Sequence, residues 1–180
     1  MDLAKLLEAI TNSIGGEQSW PPYPGGHPDE VEAALLDSVF SLMAVYGSAN
    51  AGPRAVVRRW RDHVGTRPLN SLSGLVADVD RAGGTDAFRV ILKHNGIAVP
   101  NAKDQPTKAA AIYGIATTLV AFGIDNAEDV RSKNEEAPND LFRAITKERG
   151  VADAGATYFL MLLGVPGVHL KHRFLDGRTL

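Results

Sequence analysis

Two short runs late in the chain hold most of the side chains whose types and spacing suit chemistry. One is Lys147-Glu148-Arg149-Gly150-Val151-Ala152-Asp153. The other is His169-Leu170-Lys171-His172-Arg173, with Asp176 beyond it. Basic side chains around a glycine that tolerates positive φ and close backbone approach suit the binding of a phosphate oxygen. A lysine amine whose pKa is lowered by burial suits Schiff-base formation. Elsewhere the chemistry is sparse. The histidines His27, His63, His94, His169 and His172 include no pair at the i, i+4 spacing of a helical metal site, and no Gly-rich phosphate loop or Ser/His/Asp order stands out. With no cysteine, neither a disulfide nor a four-cysteine iron–sulfur cluster is expected, and neither metal nor cofactor is predicted.

Helices must carry these runs. Pro28-Asp29-Glu30 opens one with proline and acids in its first turn, and Val31, Ala34, Leu35, Val39, Leu42 and Val45 follow at helical spacing before Gly47. Further helices are predicted over Pro53–His63, Ser71–Arg81, Thr85–His94, Thr107–Phe122, Ala127–Lys133, Pro138–Arg149 and about Asp153–Leu163, with a first one over about Asp2–Ile14. Gly or Pro punctuates most gaps, and no alternating strand pattern survives. Residues 15–28, with Trp20-Pro21-Pro22-Tyr23-Pro24-Gly25-Gly26, read as a semi-rigid Pro/Gly loop. It either packs across a core groove or offers its aromatics to a partner.

The predicted helix pair on either side of Gly150 has its own physical logic. Two helices joined by a tight turn present the first amides of the second helix unpaired, at the positive end of its dipole, a natural seat for a phosphate oxygen. A glycine at that point is equally an ordinary C-cap, and Tyr158, Phe159, Leu160, Leu162 and Leu163 read as core.

From Ile145 to Phe174 this layout resembles the core of the helix-hairpin-helix (HhH-GPD) DNA glycosylases of the endonuclease III type. The likeness extends back to about Val31. Thr107-Lys108-Ala109-Ala110-Ala111-Ile112, with Ala116 and Leu119, looks like the family's Lys-Ala helix, and Ala34-Leu35-Leu36-Asp37-Ser38-Val39-Phe40-Ser41 looks like its first core helix. The resemblance implies one all-α domain over residues 1–180, a bundle of about nine or ten helices in two packed lobes, with the hairpin at 140–164 on the edge of a cleft for a flipped base. It implies contacts to double-stranded DNA, weak and largely phosphate-mediated, through Arg149, Gly150, Val151, Ala152, Asp153, Ala154, Gly155 and Arg173. Met43 falls where family members place the residue that fills the gap left in the base stack; ordinary core filler is its other reading.

Three departures from the family pattern matter. The hairpin lysine and second glycine are absent, since the chain reads Gly150-Val151-Ala152-Asp153-Ala154, so a β-lyase mechanism there is not expected. Asp153 sits beside the amides meant for phosphate, or is simply a first-turn acid. Lys171 stands at the position of the catalytic aspartate, where an ammonium opposes an oxocarbenium-like transition state. Asp176, five residues on, lies about 140° around a helix from it and substitutes poorly. The chain also ends at Arg178-Thr179-Leu180, where family members continue with helices that pack back, so the resemblance implies a lobe completed differently or a shortened relative.

Composition sets the outer bounds. At 180 residues with 44% hydrophobic content the chain buries a real core. No run approaches the roughly 18 apolar residues of a membrane span, the N-terminus has no leader pattern, and a reducing cytoplasm is the expected setting. The net charge of −2 argues against a strongly basic nucleic-acid binder. Its placement is uneven: residues 143–180 carry six basic against three acidic side chains, and residues 125–142 six acidic against two basic. Arg54, Arg58, Arg59, Arg61 and Arg67, with Trp60 and His63, form a second basic group, either a solvated face or a phosphate track. The reading is a DNA-binding protein of the glycosylase superfamily with lost or altered catalysis. The alternatives are an active monofunctional glycosylase using a displaced carboxylate, and an all-α protein or ligand interaction module without DNA.

Overall fold

A helix covered on all sides by other helices has to be apolar all round, and Val31–Ser41 is such a helix. In a computed structural model, which describes residues 5, 26–42, 44, 52–94, 106–149, 151–166 and 168, this segment is α1, and nine of its eleven residues are buried. Around it run α2 (Pro53–Val64), α3 (Leu72–Ala82), α4 (Thr85–Leu92), α5 (Lys108–Ala121), α6 (Ala127–Glu136), α7 (Pro138–Thr146) and α8 (Asp153–Leu162). The fold is all-α, with eight helices and no β-strand among the described residues. Helix α1 packs on α2, α3, α5 and α8, while α5 bridges α3 and α4 to α7. The buried side chains form one continuous cluster with contributions from every helix. No helix among the described residues is long and apolar enough to cross a membrane.

Local signals account for most of the helix ends. Proline occupies the first turn of α2 and α7, where a missing N–H costs nothing. The Ser71 and Thr107 hydroxyls accept from the amides of Gly74 and Ala110, and Asn126 with Asp129 builds a capping box on α6. Gly83 ends α3 at φ +105°, a conformation that leaves room only for glycine.

Four helices end or begin elsewhere than the sequence predicts. Helix α1 starts at Val31, with Pro28 and Asp29 in the preceding turn, and stops at Ser41 short of Val45, because another part of the chain takes its terminal carbonyls. Helix α4 stops at Leu92, with Lys93 left-handed at φ 50°. Helix α6 runs on to Glu136, where Ala137 breaks the path before Pro138 starts α7. Helix α7 ends at Thr146, and the chain turns through 147–149 so that Val151 is buried. The predicted first helix over Asp2–Ile14 and residues 15–25 of the Pro/Gly loop lie outside the described residues, apart from Lys5.

One buried charge ties the helices on this side together. Glu32, with no exposed surface, accepts from Trp60 Nε1 at 2.8 Å and from Arg67 Nη1 and Nη2 at 2.5 and 2.9 Å. Arg67 also donates through Nε to Asp78 at 2.9 Å, so α1, α2, the loop after α2 and α3 meet at one guanidinium. On the far side Arg131 of α6 donates to the carbonyls of Pro28 and Leu163, at 2.9 and 3.0 Å, closing α6 onto the end of α8.

Glu32→Gln keeps the side-chain volume but places an amide N–H₂ among donors from Trp60 and Arg67. The expected loss is about 2–4 kcal/mol, the lower side of the range for breaking a buried pair because Arg67 retains some solvent access. Asp29→Asn, which removes an exposed partner of Arg131 at 3.6 Å, should cost under about 0.5 kcal/mol. Urea unfolding of both variants tests the contrast, and equal costs would deny Glu32 its central role.

Candidate nucleic-acid interface

The turn between α7 and α8 is built by what it buries. Leu141, Ala144 and Ile145 face the core, which leaves Arg143 and Lys147 on the opposite, exposed side of α7. Glu148 folds inward against α5: Thr118 Oγ1 donates to its Oε1 at 3.3 Å, and a Cβ on Gly114 would lie 2.6 Å from its Oε2. Only glycine at 114 leaves room for this carboxylate. Arg149 then faces solvent, Val151 is 4% exposed, and Ala152, Asp153 and Ala154 are exposed at the start of α8. Ala152 sits at the N-cap with an extended backbone and no side chain able to cap, so α8 starts without side-chain competition for its first amides.

Gly155 sets how closely α8 approaches α1. A Cβ there would stand 2.9 Å from Val151 Cγ1 and 3.2 Å from Leu42 Cδ1. The turn is therefore pressed onto Leu42, the residue after α1. The Leu42 carbonyl accepts from Lys108 Nζ at 2.6 Å, and the Phe40 carbonyl accepts from the same amine at 3.2 Å. A lysine at the first position of α5 thus supplies the donors that another turn of α1 would have supplied. Lys108 is 7% exposed, its amine stands 5.7 Å from the Phe40 ring centroid, and burial pushes its pKa down. His94 packs on Phe40 in a T-shaped arrangement, with 4.7 Å between centroids and 76° between ring planes. Burial, then the Lys108 and Arg59 charges, holds its pKa below the usual histidine value.

Among the sequence-predicted contacts, Arg149, Ala152, Asp153 and Ala154 lie together on the surface. Val151 and Gly155 are buried, and the Val151 amide points to the Glu148 carbonyl at 3.4 Å, so these two shape the turn from inside. Gly150, Lys171, Arg173 and the proposed wedge Met43 lie outside the described residues, as do His169, His172 and Asp176. The second basic group divides. Arg61 is held by Glu30 and Arg67 by Glu32 and Asp78, while Arg59 donates to the Leu92 carbonyl. Arg54 and Arg58 remain on the exposed face of α2. No group of His, Asp or Glu among the described residues is arranged to hold a metal.

Lys108, His94 and Glu148 were not predicted as site residues. A lone lysine directly after a capping threonine, followed by Ala-Ala-Ala-Ile, was the available signal for Lys108, because its neighbours in α5 are core.

The chain belongs to the family described as Domain of unknown function (DUF8548). That family's model matches residues 4–174, nearly the whole length, so the architecture described above is that of the family domain. No curated protein and no solved structure matches the chain.

Two measurements follow from this geometry. Gly155→Val forces a side chain into Val151 and Leu42 and should cost about 1–3 kcal/mol, whereas Ala154→Val on the exposed side should cost less than about 1 kcal/mol. Thermal unfolding that ranks them the other way would remove the close approach as a constraint. The second is pH. With the folded His94 pKa depressed, the unfolded chain protonates first, near about pH 6.5; the stability is fully present above that value and declines as pH falls through it toward the folded pKa. His94→Gln should flatten the fall in melting temperature between about pH 7.5 and 5.5. An unchanged slope assigns the titration to another group.

Proposed function

We propose that the protein is a DNA-binding relative of the helix-hairpin-helix glycosylases, working in the cytoplasm, with their usual catalysis lost or altered. The observation that carries this reading is the turn between α7 and α8. It sets the exposed cations Lys147 and Arg149, neither ion-paired with a carboxylate among the described residues, beside a helix start with no side-chain cap. Those are the elements of a phosphate seat, an amide-rich helix terminus with basic side chains at its edge. The clamp from Lys108 to Leu42 to Gly155 supports the reading, since a phosphate contact gains from a rigid turn.

The loss of catalysis is supported by how the carboxylates are used. Glu32 and Asp78 hold Arg67, Asp37 holds Ser41 and His27, Asp125 holds Ser71 and Ser73, and Glu148 lies against α5. Asp153 is the exposed acid at the turn, and an active glycosylase with a displaced carboxylate would have to recruit it or one like it.

Duplex DNA should bind with micromolar-like affinity and a log–log salt slope of roughly −2 to −4, and Lys147→Ala and Arg149→Ala should each reduce the slope by about one. Absence of binding near about 50 mM salt would leave the all-α interaction module instead. No base release is expected from duplexes carrying uracil, alkylated or oxidised bases. Release abolished by Asp153→Asn would establish the displaced-carboxylate enzyme.

A further inference from the structure

An apolar groove runs between α5 and α7, on the outer side of the turn. Gly114, Thr118 and Phe122 recur at i, i+4 and i+8 on one face of α5. Glu148 fills the groove over the first two, and beyond it a pocket of about 400 Å³ opens, lined by Phe122, Ala144 and Thr146 with Arg143, Lys147 and Asp140 at its mouth. Phe122 is 54% exposed, unusual for a phenylalanine in a chain that buries its other described ones wholly or in part. Lys147 has no carboxylate partner among the described residues, and Arg143, 80% exposed, is only loosely matched by Asp140 at 3.6 Å.

We infer that this groove takes an unpaired nucleobase of a single-stranded DNA segment, stacked on Phe122, with the adjoining phosphates on Lys147 and Arg143. The inference rests on the DNA-binding reading and extends it from the turn to a second contact. Charge complementarity chooses the partner: two cations against the single carboxylate of Asp140 leave the lining of an apolar pocket with an excess of positive charge, which calls for a ligand that is flat and apolar in the middle and anionic along its edge. An exposed aromatic beside basic side chains is the arrangement that binds single strands, because every base offers a π-face and every linkage a charge. Continuity chooses the direction. Lys147 and Arg149 lie on the same turn, so a strand leaving a duplex held at Arg149 passes the mouth of the groove within a few residues. Bases within an intact duplex are stacked on one another and cannot reach Phe122, so the site discriminates by strand state rather than by sequence.

The test compares a blunt duplex with the same duplex carrying a single-stranded overhang, and with the free single strand, by fluorescence anisotropy. Wild-type protein should bind the overhang substrate more tightly than the blunt one. Phe122→Ala should weaken binding to the overhang and the free strand by about five- to a hundredfold and leave the blunt duplex unchanged, and Phe122→Tyr should restore it. Because the side chain is exposed, unchanged circular dichroism is expected for both variants. If Phe122→Ala binds all three substrates as wild type does, or weakens all three equally, the groove is not a base site, although duplex binding sensitive to Arg149→Ala would keep the broader reading intact. Wild-type protein that binds none of the substrates overturns both. A wild-type dimer converted to monomer by Phe122→Ala in sedimentation would assign the groove to a second copy of the chain and overturn the inference.

Discussion

The carboxylate of Glu32 is the constraint around which the rest of the molecule is arranged. An ionised acid with no exposed surface is tolerable only when its hydrogen-bonding sites are filled, and here Trp60 and both terminal nitrogens of Arg67 fill them. Each partner comes from a different element. Trp60 lies in the middle of α2 with Phe88 of α4 edge-on against it at 5.0 Å, and Arg67 continues to Asp78 on α3. A shift of any of these helices along its axis would strand a buried charge, so the network selects one packing among many that would bury similar apolar area.

At the other end of α1 the sign is reversed. Glu32 stands in the first turn, where the helix dipole is positive, and Lys108 reaches the last carbonyls, where it is negative. Both groups are buried and both belong to contacts between elements far apart in sequence. The consequence reaches the surface through Leu42. Its carbonyl is fixed by Lys108 and its side chain stands close against Gly155, so the approach of α8 after the turn is set by the same clamp that ends α1. Helix α1 thus links the packing imposed by Glu32 to the turn after α7, where exposed cations stand beside an uncapped helix start.

Much of this fold was legible because its signals are local. Pro53 and Pro138 mark helix starts, Asn126 with Asp129 spells a capping box, and the spacing of Leu141, Ala144 and Ile145 gives α7 its buried face. What could not be read is what depends on long-range pairing. Glu30 and Glu32 look alike as first-turn acids, yet one meets Arg61 near the surface and the other is sealed under Arg67. Five basic residues around α2 read from sequence as either a solvated face or a phosphate track, and pattern alone does not show that two of them are matched to carboxylates from other elements. The end of α1 was misplaced for the same reason, since the lysine that takes its carbonyls lies more than sixty residues on. At the turn, the exposed polar edge was legible from sequence, while the burial of Val151 and the closeness demanded of Gly155 depend on Leu42, which no local pattern connects to them.

The acidic stretch before α7 poses an electrostatic objection to phosphate binding, and the way its charges are used weakens that objection. Asp125 accepts from Ser71 and Ser73, which lower its pKa against the opposing effect of burial, and Asp129 accepts from the amides of Asp125 and Asn126. Glu128 pairs with Arg131, and Glu136 with Lys133. With Asp140 beside Arg143 at 3.6 Å, five of the six acids are therefore neutralised in part by neighbours of their own, and their fields fall off over about 8–10 Å at physiological salt. Lys147 and Arg149 have no such matching carboxylate among the described residues. Net charge sums over both groups and so conceals the difference in how their charges are matched, and at the end of α7 the exposed side chains include the cations Lys147 and Arg149.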